Sequence, residues 1–328
     1  MPNGWIVLDK PLGMGSTQAV AAAKRNLRAA GHGKVKVGHG GTLDPLATGV
    51  LPIAVGEATK LAGRLLDATK EYAFTIAFGT ETDTLDAEGE VVTRSQRRPP
   101  FAAIAAILPS FVGEIEQVPP AFSALKIDGQ RAYRRARSGE AVEMAARCVT
   151  IHSLALANAR NEEAPLSAFA TTRGRPDPYD PAAPLELAEQ VTLVACVSKG
   201  TYIRSLARDI AHALGTCGHV VFLRRLKAGP FSEAQAISLD RLNDLGNGAP
   251  IEEILLPMRA GLDDIPALSL TPDEAGAVRQ GRTLSGLARE DGTYWAQAGD
   301  IPVALMQVEN GEARVLRGFN LSNHDVAE

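Results

Sequence analysis

The stretch Gly38-His39-Gly40-Gly41-Thr42-Leu43-Asp44-Pro45-Leu46-Ala47-Thr48-Gly49 sets a single aspartate among glycines, threonine and proline. Glycines let the main chain approach a ligand closely, and Pro45 stiffens the loop at the carboxylate. A carboxylate held rigidly at the edge of a sheet is suited to act as a nucleophile or a base. The same residues also suit a plain turn, because Asp-Pro is a turn former. No Gly-Lys-Ser/Thr follows, so the loop is not a phosphate cradle of the P-loop kind, and the dinucleotide glycine pattern is missing too.

A second group is Ser198-Lys199-Gly200-Thr201-Tyr202-Ile203-Arg204, at a strand end that leads into a helix. Arg204 there can pair with a distant carboxylate and keep it ionised. Spacing alone suits better an arginine on a solvent-facing first turn. Tyr72 belongs to an alternating run, Tyr72, Phe74, Ile76 and Phe78, and reads equally well as core.

The six histidines lack H-x-x-x-H or H-E-x-x-H spacing, and the three cysteines, Cys148, Cys196 and Cys217, lack C-x-x-C spacing. Neither pattern argues for a metal site. An odd cysteine count without a secretory signal points to reduced, cytoplasmic thiols, and no run approaches a membrane span. Net charge is −4, but phosphate binding needs a basic face rather than a basic whole. Cations bunch at Lys24-Arg25, at Lys34 and Lys36, at Arg131 to Arg137, and at Arg224-Arg225, while acids collect from Glu81 to Glu90.

The elements that must position these residues are short. Trp5–Leu8, Val35–Val37 and Val50–Val55 read as strands, and a helix capped by Ser16 or Thr17 runs to about Ala30. A helix is predicted from Glu57 to Asp67, with Leu61 and Leu65 at helical spacing. Glu71–Phe78 should be a strand with one buried face, Phe101–Phe111 a helix, Gln190–Val197 a strand, and Ile203–Leu214 a helix. The proline-rich stretch from 158 to 184 reads as an exposed insert, and Gly246–Pro266 as a connection to a small β-rich C-terminal piece. Helices and strands do not alternate regularly, so the fold class is α+β with a largely antiparallel sheet.

The chain resembles the bacterial tRNA pseudouridine-55 synthases of the TruB family. The likeness lies in GWIVLDKPLGMGST (4–17), VGHGGTLDPLATGVLPIAVGEATK (37–60), Lys70–Phe78, PPAFSALKIDGQRAY (119–133) and VSKGTYIRSL (197–206), in that order. The resemblance implies a pseudouridine synthase fold, with a large mixed, mainly antiparallel sheet over residues 1–258 and a small PUA-like domain over 265–328. It implies isomerisation of the T-loop uridine of tRNA, with Asp44 catalytic and Tyr72 stacked on the base. Arg204 would pair with Asp44, Tyr202 would lie in the same motif, and His39 and Lys10 would sit near the nucleotide. Lys24, Lys34, Lys36, Lys126, Arg131, Arg134 and Arg224 are candidates for the RNA backbone. The reaction cuts N1–C1′, turns the uracil and joins C5 to C1′; nothing is oxidised and nothing leaves, so no cofactor and no metal are expected. A cytoplasmic monomer acting on the tRNA T-arm, with no membrane partner, is the expectation. The alternative is a non-catalytic RNA-binding or tRNA-folding chaperone of the same fold.

Overall fold

Short apolar runs broken by glycine and proline fold as most of the strands the sequence predicts, with helices of two to four turns between them. The computed structural model describes residues 1–123, 125–127, 129–138, 140, 144–157 and 186–321, without the side chains of 126, 127 and 131. The expected insert at 158–184 lies outside the described residues. The main strands are β1 (Gly4–Lys10), β2 (Val37–His39), β3 (Thr48–Val55), β4 (Lys70–Phe78), β5 (Gly113–Gln117), β6 (Arg147–Leu156), β7 (Gln190–Val197) and β8 (Gly218–Ala228). A C-terminal set follows: β9 (Ala267–Ser269), β10 (Leu284–Ser285), β11 (Gly292–Ala298), β12 (Ile301–Glu309) and β13 (Glu312–Gly318). The helices are α1 (Ser16–Ala29), α2 (Ala62–Asp67), α3 (Phe101–Ile107), α4 (Ala132–Arg137), α5 (Ile203–Ala213), α6 (Leu239–Gly246) and α7 (Pro272–Arg279).

The described chain divides into two compact units, residues 1–68 with 226–328, and residues 69–225. In the first, β3 pairs antiparallel with β1 from Gly4↔Val55 to Lys10↔Gly49, and with β2 from Val37↔Val55 to His39↔Ile53. Trp5, Val7, Val50, Ala54, Leu61, Leu65, Phe231, Met258 and Phe319 share one buried cluster. Trp5 stacks at a tilt on Phe231, ring centroids 5.1 Å apart, and its indole N–H donates to the Met258 carbonyl at 3.1 Å. Such aromatic pairs add roughly 0.5–1.5 kcal/mol beyond the area they bury. The C-terminal strands form a five-stranded sheet in the order β9-β11-β12-β13-β10, parallel at β9–β11 and antiparallel elsewhere, over a second cluster that includes Leu268, Met306 and Val308. Its last strand is tied to the first unit's core: Lys60 donates to the Gly318 carbonyl at 3.0 Å, and the Asn320 N–H donates to Glu57 at 2.7 Å.

In the second unit, β4, β7, β6 and β5 pair in that order, all antiparallel. The strand β4 was expected to bury one face. It buries both, since Ala73 and Thr75 are buried as well as Phe74 and Ile76. A small Ala and a hydroxyl satisfied by a partner can go inside: Thr75 and Thr192, opposite each other in the ladder, join hydroxyl oxygens at 2.9 Å.

Four other elements differ from the expectation: the strand read at Val35–Val37 runs Val37–His39, and the helix read at Phe101–Phe111 gives way to a 3₁₀ turn at Leu108–Phe111. The helix predicted from Glu57 to Asp67 is a 3₁₀ turn, Gly56–Lys60, followed by α2. The Thr59 hydroxyl bonds the Gly56 carbonyl at 2.7 Å, which draws off an acceptor the α-helical ladder would need. Leu61 and Leu65 still point inward, as their spacing required. The helix α1 begins after Gly15, whose N–H donates to Gln18 Oε1 at 2.7 Å, and Ser16 is not the cap because its hydroxyl is used elsewhere. No helix among the described residues is long and apolar enough to cross a membrane.

Candidate active site

The antiparallel pairing of β2 with β3 leaves the residues between them to form a loop at the sheet end, closed by the Gly40 N–H donating to the Pro52 carbonyl at 2.9 Å. Gly40 is required for close approach, because a Cβ there would sit 2.5 Å from a Leu65 methyl carbon. Leu43 and Ala47 are buried and anchor the loop on either side of Asp44, which is half-buried, while Thr42 and Pro45 face out. Burying one leucine is worth about 1.5–3 kcal/mol, enough to fix a short segment.

Polar clasps add direction. Ser16 is buried at the start of α1; its hydroxyl donates to the Leu43 carbonyl and accepts the Leu43 N–H, both at 2.8 Å. On the other side of Asp44, the Pro45 carbonyl accepts from the Gly13 N–H at 2.9 Å and from the Lys10 ammonium at 3.4 Å. The residues before and after the carboxylate are therefore both held by the turn between β1 and α1. Lys10 is fully buried and also donates to the carbonyls of Pro11 at 2.9 Å and Met14 at 2.7 Å. Three carbonyl dipoles around one ammonium stabilise the charge and leave Lys10 shaping the loop. His39, at the end of β2, is half-buried and its Nδ1 accepts the Gly41 N–H at 3.3 Å. Lys10, His39 and Asp44 thus share one small region of the first unit.

The second unit carries Tyr72, Tyr202 and Arg204. Tyr72 lies near the start of β4, opposite Ala195 of β7, and is half-buried. Tyr202 precedes the first turn of α5, where its N–H donates to Gln117 Oε1 at 2.8 Å. The Arg147 guanidinium lies over its ring, 4.8 Å from the centroid, and donates to the Gly200 carbonyl. A cation over a tyrosine face holds the ring by about 0.5–1 kcal/mol.

Arg204 was expected on a solvent-facing turn if structural. Instead it is buried, with one guanidinium nitrogen 3.3 Å from Asp86 Oδ2 and 2.9 Å from the Thr84 carbonyl, and the other bonded to the Phe122 carbonyl at 3.1 Å. Asp86 is aimed by a turn within the stretch Glu81 to Glu90, which the sequence showed only as a collection of acids. Its Oδ1 accepts from the Thr84 hydroxyl at 2.6 Å and the Glu88 N–H at 3.0 Å, and its own carbonyl takes the Thr82 hydroxyl at 2.6 Å. The preceding Leu85 has φ of 63°, a left-handed backbone costing a non-glycine residue about 1–2 kcal/mol. Leu85 is buried and its carbonyl accepts the Val220 N–H at 3.1 Å, contacts that offset the strain.

Of the RNA-backbone candidates, Lys24, Lys34 and Lys36 are exposed in the first unit. Arg134 on α4 is exposed and Arg224 on β8 half-buried in the second; the side chains of Lys126 and Arg131 lie outside the described residues. Sequence reasoning missed Ser16, Asp86, Gln117 and Arg147. Ser16 was within reach, since it lies in the Gly15-Ser16-Thr17 stretch that follows Lys10. Asp86 had a signal in Thr82-Asp83-Thr84-Leu85-Asp86, where threonines two and four residues before a carboxylate suit side-chain turns. Gln117 and Arg147 carry no local pattern.

The TruB family pseudouridylate synthase N-terminal domain matches residues 24–173, and the tRNA pseudouridylate synthase B C-terminal domain matches residues 204–263. A protein of Novosphingobium aromaticivorans called tRNA pseudouridine synthase B is 61% identical over 328 residues, covering 100% of both chains. The chain belongs to the TruB family of pseudouridylate synthases. A family member of Zymomonas mobilis, also called tRNA pseudouridine synthase B, is 54% identical and covers 97% of this chain and 96% of its own. Among solved structures, a chain of a Cbf5-Nop10-Gar1 complex aligns with a TM-score of 0.66 and 26% identity, over 97% of this chain and 84% of that one. The family fold accounts for the α+β class, the large antiparallel sheet and the β-rich C-terminal sheet described above.

Proposed function

We propose that this chain isomerises the uridine at position 55, in the T-loop of tRNA, to pseudouridine, with Asp44 as the essential carboxylate and no cofactor. The observation that carries the reading is the fixed loop of a family member: the carboxylate is half-exposed, while its neighbours on both sides are clasped by Ser16, Gly13 and Lys10. A carboxylate so held can meet a substrate atom without reorganising first.

The target bond lies inside stacked RNA, so the nucleotide must be flipped out before reaction. Stacking the base on Tyr72 offsets roughly 1–3 kcal/mol of that extraction. Asp44 then acts at the ribose or the pyrimidine ring while N1–C1′ breaks; the uracil turns, C5 bonds to C1′, and the C5 proton is lost as N1 gains one. His39, Tyr202 and Arg204 position the nucleotide and the charges around it. Lys10 serves by holding the loop. Residues 1–258 form the catalytic domain and 265–328 a PUA-like RNA-binding domain, with Lys24, Lys34, Lys36, Lys126, Arg131, Arg134 and Arg224 as backbone contacts, in a cytoplasmic monomer.

The test is to map pseudouridine in an unmodified tRNA transcript after incubation with wild type or Asp44→Asn, without metal or nucleotide. Conversion of the T-loop uridine by wild type alone is the expected result. Binding without conversion by both proteins would replace the enzyme with an RNA-binding or tRNA-folding role.

A further inference from the structure

In the second unit, Gln117 of β5 and Arg147 of β6 stand directly opposite each other in the antiparallel ladder. Opposed residues on two strands project to the same face, so the two side chains are neighbours. Both reach Tyr202. Gln117 Oε1 accepts the Tyr202 N–H at 2.8 Å, and the Arg147 guanidinium covers the ring at 4.8 Å from the centroid. The turn before Tyr202 is tied to β6 as well. The Thr150 N–H donates to the Ser198 hydroxyl at 2.9 Å, the Ser198 N–H donates to the Thr150 carbonyl at 2.8 Å, and Arg147 donates to the Gly200 carbonyl. Gly200, at φ of 80°, makes this turn possible, and a Cβ on it would already touch the guanidinium at 3.7 Å.

The same two residues carry a cost. Gln117 is 1% exposed, and because its Oε1 is taken by an N–H, its Nε2 is the donor left over. Among the described residues that Nε2 has no acceptor, and neither has the buried Nε of Arg147. A buried donor without a partner loses its hydration and gains no bond, whereas an apolar side chain of the same shape would be neutral or stabilising. Stability therefore does not account for an amide and a guanidinium side by side at this place. What they achieve is a fixed Tyr202: its backbone is held by the amide, its ring face by the guanidinium, and its turn by β6. The tyrosine itself is only half-buried, which leaves part of it open to a ligand. Local violations of this kind belong where a site needs a fixed geometry.

We propose that Gln117 and Arg147 are positioning residues for the isomerisation, which aim the Tyr202 ring at the nucleotide and keep it there while the uracil turns. The inference rests on the activity proposed above and adds to it two residues that act through Tyr202. Their effect falls on the saturated rate more than on affinity.

The experiment uses the full chain and an unmodified tRNA transcript, with Arg147→Met, Arg147→Lys, Gln117→Glu, Tyr202→Leu and the double variant Arg147→Met/Tyr202→Leu. Binding is measured at equilibrium, conversion in single turnover at saturating RNA, and stability by melting. Arg147→Met is expected to slow saturated conversion about fivefold or more, with affinity within about twofold and no loss of melting temperature. In the Tyr202→Leu background the same change should slow conversion by less than about twofold, because its effect passes through the ring. Arg147→Lys keeps a cation over the ring and should recover part of the rate. Gln117→Glu keeps the acceptor for the Tyr202 N–H and offers the Arg147 Nε a carboxylate. It should melt higher and convert more slowly, as the guanidinium is drawn off the ring.

Multiplying effects of Arg147→Met and Tyr202→Leu overturn the proposal, as does weaker binding at an unchanged saturated rate, which would place Arg147 on the RNA. A rate that falls only in step with the melting temperature overturns it too and leaves a structural role. If wild type binds but converts nothing, the activity reading fails by itself, and fluorine NMR of the fluorotyrosine-labelled chain reads the hold on the ring. Of its five tyrosine signals, the one lost in Tyr202→Phe should shift in Arg147→Met; an unmoved signal overturns the hold.

Discussion

Arg204 and Asp86 form a buried ion pair, 3.3 Å from Nη1 to Oδ2, joining the first turn of α5 to the acidic turn after β4. Both side chains are at least nine-tenths covered. A buried guanidinium holds its place through its acceptors. Asp86→Asn keeps the shape and removes the countercharge. The expected outcome is a stability loss of about 1.5–3 kcal/mol with kcat reduced about tenfold or more and tRNA affinity within about twofold. Wild-type kcat in a folded Asp86→Asn protein would sink the idea that the pair positions anything for the reaction.

Lys10 meets three carbonyls, one of them beside Asp44. Lys10→Met fills similar volume and donates nothing. Its expected effect is a fall in kcat with little change in tRNA affinity, because the ammonium donates to the carbonyls that shape the loop. Ser16→Ala, which frees Leu43, should act in the same direction and more mildly. A variant with weaker RNA binding and unchanged kcat would place Lys10 on the substrate.

Burial raises the Asp209 carboxyl above its ordinary value, against the lowering effect of the neighbouring Arg208, which bonds it at 2.8 Å. A carboxyl that prefers its proton in the folded state contributes stability that is fully present below its unfolded pKa, near 3.9, and lost as pH rises through the folded value. Asp209→Asn removes that loss. The melting temperature of the variant relative to wild type should climb as pH rises out of the acid range and then level off. A difference independent of pH would contradict the assignment.

Gly261 packs under Trp5, and an added Cβ would meet the indole nitrogen at 2.5 Å. Gly261→Ala must therefore displace a fully buried ring or its own backbone. Overpacking of this kind costs about 1–3 kcal/mol, readable as a lower denaturant midpoint with an unchanged slope. Wild-type stability in the variant would show that the ring can shift at little cost.

The sequence carried most of the element map because periodicity reports burial. The alternation from Tyr72 to Phe78, the helix read at Ile203–Leu214 and the β-rich C-terminal piece all fall on regular elements. Errors arose where a neighbour overrode the local pattern. Nothing within β4 says that its second face is covered, and nothing near Ser16 says that its hydroxyl is taken by a residue 27 positions away. The Asp44 loop stood out because its composition is odd in itself. Asp86 did not, since an acid in a turn is ordinary until its distant arginine is seen.

Phe319 belongs to the same buried cluster as Trp5 and Val7, and the backbone around it is tied to Glu57 and Lys60. During synthesis, the amino-terminal strands must wait until Phe319 has left the ribosome before that cluster can close. Contacts this distant in sequence make for slow assembly and a long interval with apolar surface in the open. A chain halted short of β13 would therefore carry an intact Asp44 loop sequence on an unfinished core, and would be a substrate for quality control before it could be a catalyst.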